Sequence, residues 1–258
     1  MGDTVDTSSC AIAVMAKASI AGKAKTRLAP LVSSAEAANL NTSFLRDIAD
    51  NLLAARAYAN ITGVMAYAPA GSADFFRSIL PEGLELLETV APTFGECLFS
   101  AASRLLGRGH GAVCLLNSDS PTLPAAYLIA AATALAAPGD RIVLGPSTDG
   151  GYYLLGLKAP HRHLFANIDW STERVAQQTL ARAEDLGLDV HLLPSWYDVD
   201  DADAFRILAG ELLEGRRFRV CGHRPTPAHW TRCELERLFA DADLAGRLGL
   251  APAASLVA

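Results

Sequence analysis

The sequence predicts an α/β fold in which a mostly parallel, doubly wound sheet is covered by helices on both faces. Short apolar runs alternate with longer helical patterns along most of the chain. The central run, Ala112–Leu116, ends abruptly in polar residues 117–120, as a buried parallel strand does at the carboxyl edge of a sheet. Two helix starts carry the Ser/Thr-x-x-Glu capping pattern, at 33–36 and 93–96.

The strands and helices alternate in a regular order along the chain. The predicted strands are 11–16, 61–68, 84–90, 111–117, 141–145, 152–157 and 188–193. The predicted helices are 34–58, 72–79, 94–107, 124–137, 172–186 and 201–214. Such alternation predicts parallel neighbours, with the strand 152–157 as the expected antiparallel exception at the switch point of the sheet.

Composition indicates one large globular domain with a C-terminal extension. Of the 258 residues, 51% are hydrophobic and 19% charged, which excludes a disordered chain. We expect one large α/β domain at 10–214 and an Arg-rich extension at 215–258 packed on it. No apolar run reaches the length of a membrane span, and the acidic first residues do not resemble a signal peptide. A cytoplasmic location is therefore expected, and an oligomer is compatible with the sequence.

A single carboxylate follows the central predicted strand. Asp119 lies directly after the apolar run, with Ser120 beside it. At the mouth of a crevice Asp119 could hold a divalent cation against a phosphate, and we expect Ser120 to contact substrate. Alternatively, Asp119 caps the helix that begins near Pro124 or braces the turn. Taken alone, this segment leaves both interpretations open.

The segment after the first strand is strongly basic, although the chain has a formal net charge of -6. It contains Lys17, Lys23, Lys25 and Arg27 and no acidic residue. A local cationic loop favours a small anionic ligand, whereas nucleic acid requires a broad basic surface. Gly22 would let the backbone approach phosphate oxygens, Arg27 offers a planar fork and Lys25 a point charge. The alternative is a solvated charged turn.

A glycine-rich loop precedes the strand 152–157. Gly150 and Gly151 lie between Asp149 and Tyr152, and glycines there allow positive φ and close backbone approach. We expect this loop, with Tyr152, to contact a sugar or the acceptor, and Asp149 to be a catalytic group. An ordinary Asp-Gly hairpin turn is the alternative.

Acidic residues cluster after the last predicted strand. Carboxylates from two strand ends can meet across a crevice, so we expect Asp200 or Asp198 to join Asp119 as a metal ligand. Helix N-termini also favour acids for dipole reasons alone, and the helix 201–214 begins here. The predicted cofactor is Mg²⁺ or Mn²⁺.

Together these segments carry a family resemblance. Their motifs, in order along the chain, are Lys-x-x-x-x-Gly-Lys-x-Lys-Thr-Arg-Leu, Asp-Ser-Pro-Thr-Leu-Pro, Gly-Pro-x-x-Asp-Gly-Gly-Tyr-Tyr-Leu-Leu-Gly-Leu and Asp-Val-Asp. The chain resembles bacterial glycosyltransferase-A-type (GT-A) proteins associated with arsenosugar biosynthesis. That family is similar to phospholactate guanylyltransferase and to molybdenum-cofactor nucleotidyltransferases. The resemblance implies a GT-A-type three-layer α/β/α fold, a nucleotide or nucleotide-sugar ligand and a small-molecule acceptor. Asn117, where relatives commonly have Gly, and Ala204, where they often have an acid, depart from the pattern.

Two chemistries share such a scaffold. A glycosyltransferase breaks the sugar–phosphate bond of an activated donor, and a nucleotidylyltransferase attacks a nucleoside triphosphate and releases pyrophosphate. Both require a metal-binding acid, a cationic loop and a nucleotide slot. The closer resemblance favours sugar transfer; guanylyltransferase-like transfer to a small phosphorylated or carboxylate substrate is the alternative, and a catalytically inactive nucleotide-binding module is a third possibility.

The C-terminal extension offers one further hypothesis. Cys221-x-His223 and His229-x-x-x-Cys233 have zinc-ligand residue types, but a one-residue gap is unusual for a structural zinc site. The preferred interpretation is that the extension folds over the domain and buries Trp230 and Leu238.

Overall fold

The computed structural model describes residues 9–218, 224–240 and 244. Within them, strands and helices alternate as the sequence predicts. The strands are β1 (Cys10–Lys17), β2 (Ile61–Ala68), β3 (Glu85–Glu88), β4 (Ala112–Leu116), β5 (Arg141–Pro146), β6 (Tyr152–Leu157) and β7 (Asp189–Leu192). The helices are α1 (Ser34–Ala55), α2 (Ala73–Ile79), α3 (Phe94–Gly107), α4 (Ala125–Ala136), α5 (Val175–Asp185), α6 (Ala202–Glu214) and α7 (His229–Phe239).

The strands form one mixed sheet in the order β3-β2-β1-β4-β6-β5-β7. Parallel pairing joins β1 to β2 and β4, β2 to β3, and β5 to β7. The exception is β6, which runs antiparallel to both β4 and β5, as the sequence predicts. The carboxyl ends of β1 and β4 therefore lie side by side at the middle of one sheet edge.

Two apolar layers cover the sheet. Buried side chains of α1, α4, α6 and α7 pack with one face in one core cluster, and side chains of α3 and α5 pack with the other face in a second cluster. The α3 side of the sheet is lined by small and branched residues such as Ala11, Val113 and Leu155. These layers confirm the three-layer α/β/α architecture.

The predicted helix starts are met to different degrees. Ser33 and Glu36 form a complete capping box, whereas at Thr93 the side chain accepts the backbone N–H of Glu96. Helix α5 begins at 175 and not at 172, because residues 171–174 form turns and bends, in which Ser171 has a left-handed backbone with φ 64°.

The C-terminal segment packs on the domain through α7, which contacts α1 and α6. Asp47 of α1 accepts the N–H groups of Trp230 and Thr231 at 2.9 and 2.8 Å, at the start of α7. Burial raises the pKa of the Asp47 carboxyl. Leu238 is buried as expected. The two backbone hydrogen bonds therefore join α7 to the main domain through one acid.

Trp230 differs from the expectation, since 39% of it is exposed. Its indole N–H donates to Asp50 Oδ2 at 3.0 Å, and the Arg46 guanidinium lies 4.5 Å above its ring. Trp230 therefore lies on the surface of α1, where its indole N–H keeps a polar partner, and does not enter the core.

Two of the four residues of the zinc hypothesis, Cys221 and His223, lie outside the described residues. Of the other pair, Cys233 Sγ and His229 Nε2 are 3.8 Å apart on α7. The division into 10–214 and 215–258 stays a prediction. Among the helices that the structure describes, none combines the length and apolar character needed to cross a membrane.

Candidate functional site

A cleft of about 640 Å³ opens at the carboxyl edge of the sheet. Its wall combines the ends of β1 and β4 with the loop between β5 and β6, the residues before α5 and those after β7. Its charged lining residues are Lys17, Lys23, Lys25, Arg27, Asp119, Asp149, Glu173, Asp198 and Asp200. The structure thus brings together the basic loop, the glycine-rich loop and both acidic segments that the sequence singled out.

At the centre of the cleft Lys25 joins two carboxylates from distant parts of the chain. Its ammonium contacts Asp119 Oδ1, donates to Val199 O at 2.8 Å and reaches Asp200 Oδ1 at 3.3 Å. The Lys25 side chain is only 4% exposed, and these three acceptors match its three N–H donors. All three N–H donors of Lys25 are therefore used within the protein, whereas the sequence predicts that Lys25 binds a phosphate.

The same contacts decide the role of Asp119 in the fold. Its carboxylate pairs with Lys25, so Asp119 is not the cap of α4, whose N-terminal flanking residue is Pro124. Asp200 is close enough to Asp119 that repulsion between them, after burial, raises the pKa of Asp200. Asp201 does cap the following helix, by accepting the N–H groups of Asp203 and Ala204. The alternative that an acid in this cluster stabilises a helix N-terminus therefore holds for Asp201.

The two acid-bearing loops are tied together by Tyr197 and its neighbours. Val199 N donates to Asp119 O at 2.8 Å, and Ser120 Oγ donates to Tyr197 O at 2.9 Å. The Tyr197 hydroxyl donates to Glu211 Oε2 at 2.6 Å and lies 3.0 Å from Thr122 Oγ1. These bonds hold the loops that carry Asp119 and Asp200 next to each other.

Neither Tyr197 nor Glu211 was predicted as part of the site. The sequence shows them as one apolar residue in a loop and one acid in a helix. The buried tyrosine has its pKa raised by burial and by the nearby Glu211 charge. No local pattern indicates their pairing, which joins the loop after β7 to α6.

Ser120 lies behind the cleft. It is 2% exposed, and its hydroxyl donates to Tyr197 O and accepts a bond from Asn117 Nδ2 at 3.2 Å. These bonds support the Asp119 loop, and Ser120 is not among the residues that line the cleft, where the sequence predicts a substrate contact.

Arg27 presents an accessible cation among the predicted phosphate-binding residues. Its side chain is 66% exposed, and its guanidinium lies 3.7 Å from Asp200 Oδ2. Lys17 is exposed at the end of β1 and also lines the cleft. Gly22 has φ +76° with open space around it and lies outside the cleft lining. A ligand could therefore approach the Gly22 backbone without steric hindrance, although Gly22 is not part of the cleft wall.

Asp198 has an environment unlike that of the other acids. Its Oδ1 accepts a hydrogen bond from Ser147 Oγ at 2.7 Å. Burial, followed by repulsion from Asp149 and Asp200, raises the pKa of Asp198 to about 6. Its protonation therefore changes near neutral pH.

The Asp149 loop is the hairpin connection between β5 and β6, and it also lines the cleft. Asp149 Oδ1 accepts the N–H of Gly151 at 2.8 Å, which orients the carboxylate. Gly150 has φ +90°, and a Cβ there would lie 2.1 Å from the Glu173 carbonyl oxygen. Glycine is thus required by the packing of this loop against residues before α5. Gly150 itself is not on the cleft lining.

Tyr152 lies beside this loop on the cleft lining. Its hydroxyl is buried and has no hydrogen-bond partner among the described residues. Burial raises the pKa of this phenol. The Tyr152 hydroxyl is thus shielded from solvent.

Two aromatic residues that were not predicted as site residues also line the cleft. Phe94, at the start of α3, is 53% exposed. It meets Trp170 edge-on, with ring centroids 5.2 Å apart and an interplanar angle of 87°. Both rings line the cleft, together with Ser171, Thr172 and Glu173. The aromatic sequence positions were visible, but their meeting depends on the fold.

The acid pair fits the expected divalent cation. Within the described residues, no group of three or more His, Cys, Asp and Glu side chains surrounds a common point. Magnesium, however, is commonly held by one or two carboxylates, with substrate phosphates and water completing its shell. Asp119 and Asp200, which share the Lys25 ammonium, are the two carboxylates that could supply such oxygen donors.

A sequence family described as "Uncharacterized protein conserved in bacteria (DUF2064)" matches residues 51–172, slightly less than half of the chain. No curated protein matches the chain significantly.

Among solved structures, the chain is similar to a Desulfovibrio desulfuricans G20 protein, itself proposed to be a nucleotide-diphospho-sugar transferase. The two are 26% identical, with a TM-score of 0.75 over 92% of this chain and 97% of that chain. A CMP:2-keto-3-deoxy-manno-octonic acid synthetase complexed with CTP has a TM-score of 0.52 at 9% identity, over 81% of this chain and 100% of that one; this second likeness concerns the fold alone. The comparisons confirm the nucleotide-diphospho-sugar transferase type of fold.

Proposed function

We propose that the protein is a metal-dependent transferase that uses a nucleotide-activated donor, and that it moves a sugar from a nucleoside-diphosphate sugar to a small acceptor. The observation that supports this proposal is that Asp119 and Asp200 both pair with the Lys25 ammonium, in a cleft that the basic loop also lines. The likeness to the Desulfovibrio protein supports the same class. The arsenosugar-associated subtype stays a prediction.

In this proposal Asp119 and Asp200 hold Mg²⁺ or Mn²⁺, and Asp198 lies beside them. The cation, when bound, neutralises charge on the leaving phosphate. Lys25 balances the charge of the two carboxylates, and the Tyr197 bonds keep their loops together. The chain itself thus supplies a preorganised pair of oxygen ligands.

The donor phosphates are assigned to the basic loop. Arg27 offers an exposed guanidinium, which can bind two phosphate oxygens at once. Lys17 and Lys23 add point charges from the same wall of the cleft. Each charge-assisted hydrogen bond of this kind contributes about 1.5–3 kcal/mol.

Asp149 is assigned as the base that accepts the proton of the acceptor hydroxyl. Its carboxylate is oriented by the Gly151 N–H and lies on the cleft lining. A positioned base contributes about 10²–10⁴ in rate. Transfer to an already ionised phosphate or carboxylate needs no base, so this role belongs to sugar transfer.

The testing experiment separates the two chemistries by product. The protein is incubated with nucleoside triphosphates or nucleotide sugars, with Mg²⁺ or Mn²⁺, and both pyrophosphate and nucleoside diphosphate are measured. We expect nucleoside diphosphate from a nucleotide sugar. Asp149→Asn should lose at least 100-fold in this rate, while donor binding is kept.

The matched control is Asp140→Asn, which makes the same chemical change outside the cleft, where Asp140 pairs with His161. This variant should retain wild-type turnover. Pyrophosphate release from a nucleoside triphosphate by the wild-type protein would replace sugar transfer with nucleotidylyl transfer.

A further inference from the structure

We propose that Trp170 and Phe94 form the acceptor subsite of the cleft, and that this subsite takes a neutral, ring-shaped polyhydroxy molecule such as a sugar. The inference rests on the proposed function, since it assigns one end of the same cleft to the second substrate. The carrying observations are the construction of the Trp170 loop, its contact with the Asp149 loop and the charges around it.

The Trp170 loop is built rigidly. Its two ends have left-handed backbone at non-glycine residues, with φ 53° at Asn167 and 64° at Ser171, an unfavourable geometry that surrounding contacts must maintain. Between them Asp169 exchanges two 2.8 Å hydrogen bonds with Gln178 of α5. Arg174 also pairs with Asp169 at 3.0 Å. The loop thus holds the indole in one place.

The indole position is matched by a glycine on α3. A Cβ at Gly95 would lie 2.8 Å from Trp170 Nε1 and 3.0 Å from Phe165 O. Trp170 therefore lies directly on the start of α3, where Phe94 meets it edge-on. Phe94 is exposed and Trp170 is half-buried, so the two rings on a rigid support are a preformed surface for a ring-shaped ligand.

This surface adjoins the proposed base. Gly150 packs on the backbone of Glu173, and Ala176 N donates to Gly150 O at 3.0 Å. The Trp170 loop and the Asp149 loop therefore form a continuous wall. A molecule resting on the indole is placed next to Asp149, as an acceptor hydroxyl requires.

The surrounding charges select the class of molecule. Asp149 and Glu173 line this wall, whereas the lining cations come from the basic loop after β1. Arg174 is engaged by Asp169 and is not on the cleft lining. Two carboxylates repel a phosphorylated or carboxylate acceptor, while Ser171, Thr172 and the carboxylates suit hydroxyl groups around an apolar ring face.

The test measures two ligands on the same variants. Neutral glucose, galactose and mannose, and their 1-phosphates, are titrated by ligand-observed NMR in the presence of Mg²⁺ and UDP or GDP, and nucleotide affinity is measured by calorimetry. We expect a neutral sugar to bind the wild type and Trp170→Ala to weaken it at least tenfold. Nucleotide affinity should stay within twofold.

Three variants separate recognition from folding. Trp170→Phe should restore part of the sugar affinity, and Gly95→Ala should mimic the loss because its Cβ displaces the indole. Trp230→Ala, which removes a half-exposed indole outside the cleft, should change neither ligand. Melting temperatures identify any variant that is simply unfolded, and Trp170→Phe keeps the test valid if Trp170→Ala is one of them.

Several outcomes would overturn the inference. These are absence of binding by every neutral sugar, tighter binding of the 1-phosphates than of the neutral sugars, or an equal loss of nucleotide affinity in Trp170→Ala, which would place the nucleobase on the indole. Failure of the proposed function looks different: nucleotide binding and metal-dependent transfer would be absent in the wild type, while the Trp170 dependence of sugar binding remained.

Discussion

Replacing Lys25 by Met should destabilise the metal-free protein and make it more responsive to divalent cations. Methionine keeps an unbranched apolar stem but removes the ammonium between Asp119 and Asp200. Two carboxylates whose shared counter-charge is lost then repel each other in a partly buried site. A cation that binds both should reverse this repulsion.

The expected magnitude follows from the contact geometry. The 3.3 Å separation between Lys25 Nζ and Asp200 Oδ1 corresponds to a gross attraction of about 5 kcal/mol at an effective dielectric constant of ~20. Asp119 and Asp200 are 30% and 39% exposed, so solvent screening reduces the net loss to about 2 kcal/mol. For a chain of this size that loss lowers the melting temperature by roughly 4–8 °C.

The assay compares thermal unfolding in EDTA and in millimolar MnCl₂. In EDTA, Lys25→Met should melt several degrees below the wild type, and Mn²⁺ should raise its melting temperature more than that of the wild type. Lys23→Met is the matched control, since Lys23 is an exposed cation in the same loop. It should change stability by less than about 0.5 kcal/mol.

Two results would refute this reasoning in different places. If Lys25→Met melts like Lys23→Met in EDTA, the acid–lysine contacts do not contribute to stability. If Lys25→Met is destabilised but gains no more from Mn²⁺ than the wild type, Asp119 and Asp200 do not form a cation site.

Four further predictions follow from individual contacts. Arg27→Ala should weaken nucleotide binding about 10- to 100-fold by calorimetry, and Arg27→Lys should recover only part of it because the fork is lost. Tyr197→Phe should cost about 2–3 kcal/mol in urea unfolding, because it removes the hydroxyl that donates to the buried Glu211 carboxylate at 2.6 Å. Asp47→Ala should cost about 2 kcal/mol and increase hydrogen exchange in α7, whose first N–H groups it accepts. In EDTA, Asp198→Asn should gain stability relative to the wild type as pH rises from about 4.5 to 7.5, by an amount on the order of 2–3 kcal/mol.

The sign of the last prediction follows from the raised pKa. With a pKa of about 6 in the folded protein, Asp198 is protonated in the native state at pH values where the unfolded chain has already ionised it. Its contribution to stability is therefore full below about pH 4 and is lost as pH rises through 6. An unchanged difference between wild type and Asp198→Asn across this range would contradict the assignment.

Local patterns in the sequence determined the element order and the edge of the sheet that carries the site. Apolar runs and capping residues are properties of neighbouring positions, so all seven strands were predicted close to their observed bounds. Because parallel strands share a carboxyl edge, the segments that follow β1, β4 and β7 were expected to converge, and they do. Asp119 and Asp200 thus both pair with the Lys25 ammonium.

The tertiary structure alone decided which of these groups touch. Lys25 lies 94 residues before Asp119 and 175 before Asp200, and no local periodicity encodes such pairs. The sequence predicts Ser120 as a substrate contact, but its hydroxyl is buried and donates to Tyr197 O. Trp170 packs on the start of α3 because Gly95 of that helix leaves room for the indole. Through-space packing between distant segments, which depends on the shape of every layer between them, fixes these contacts.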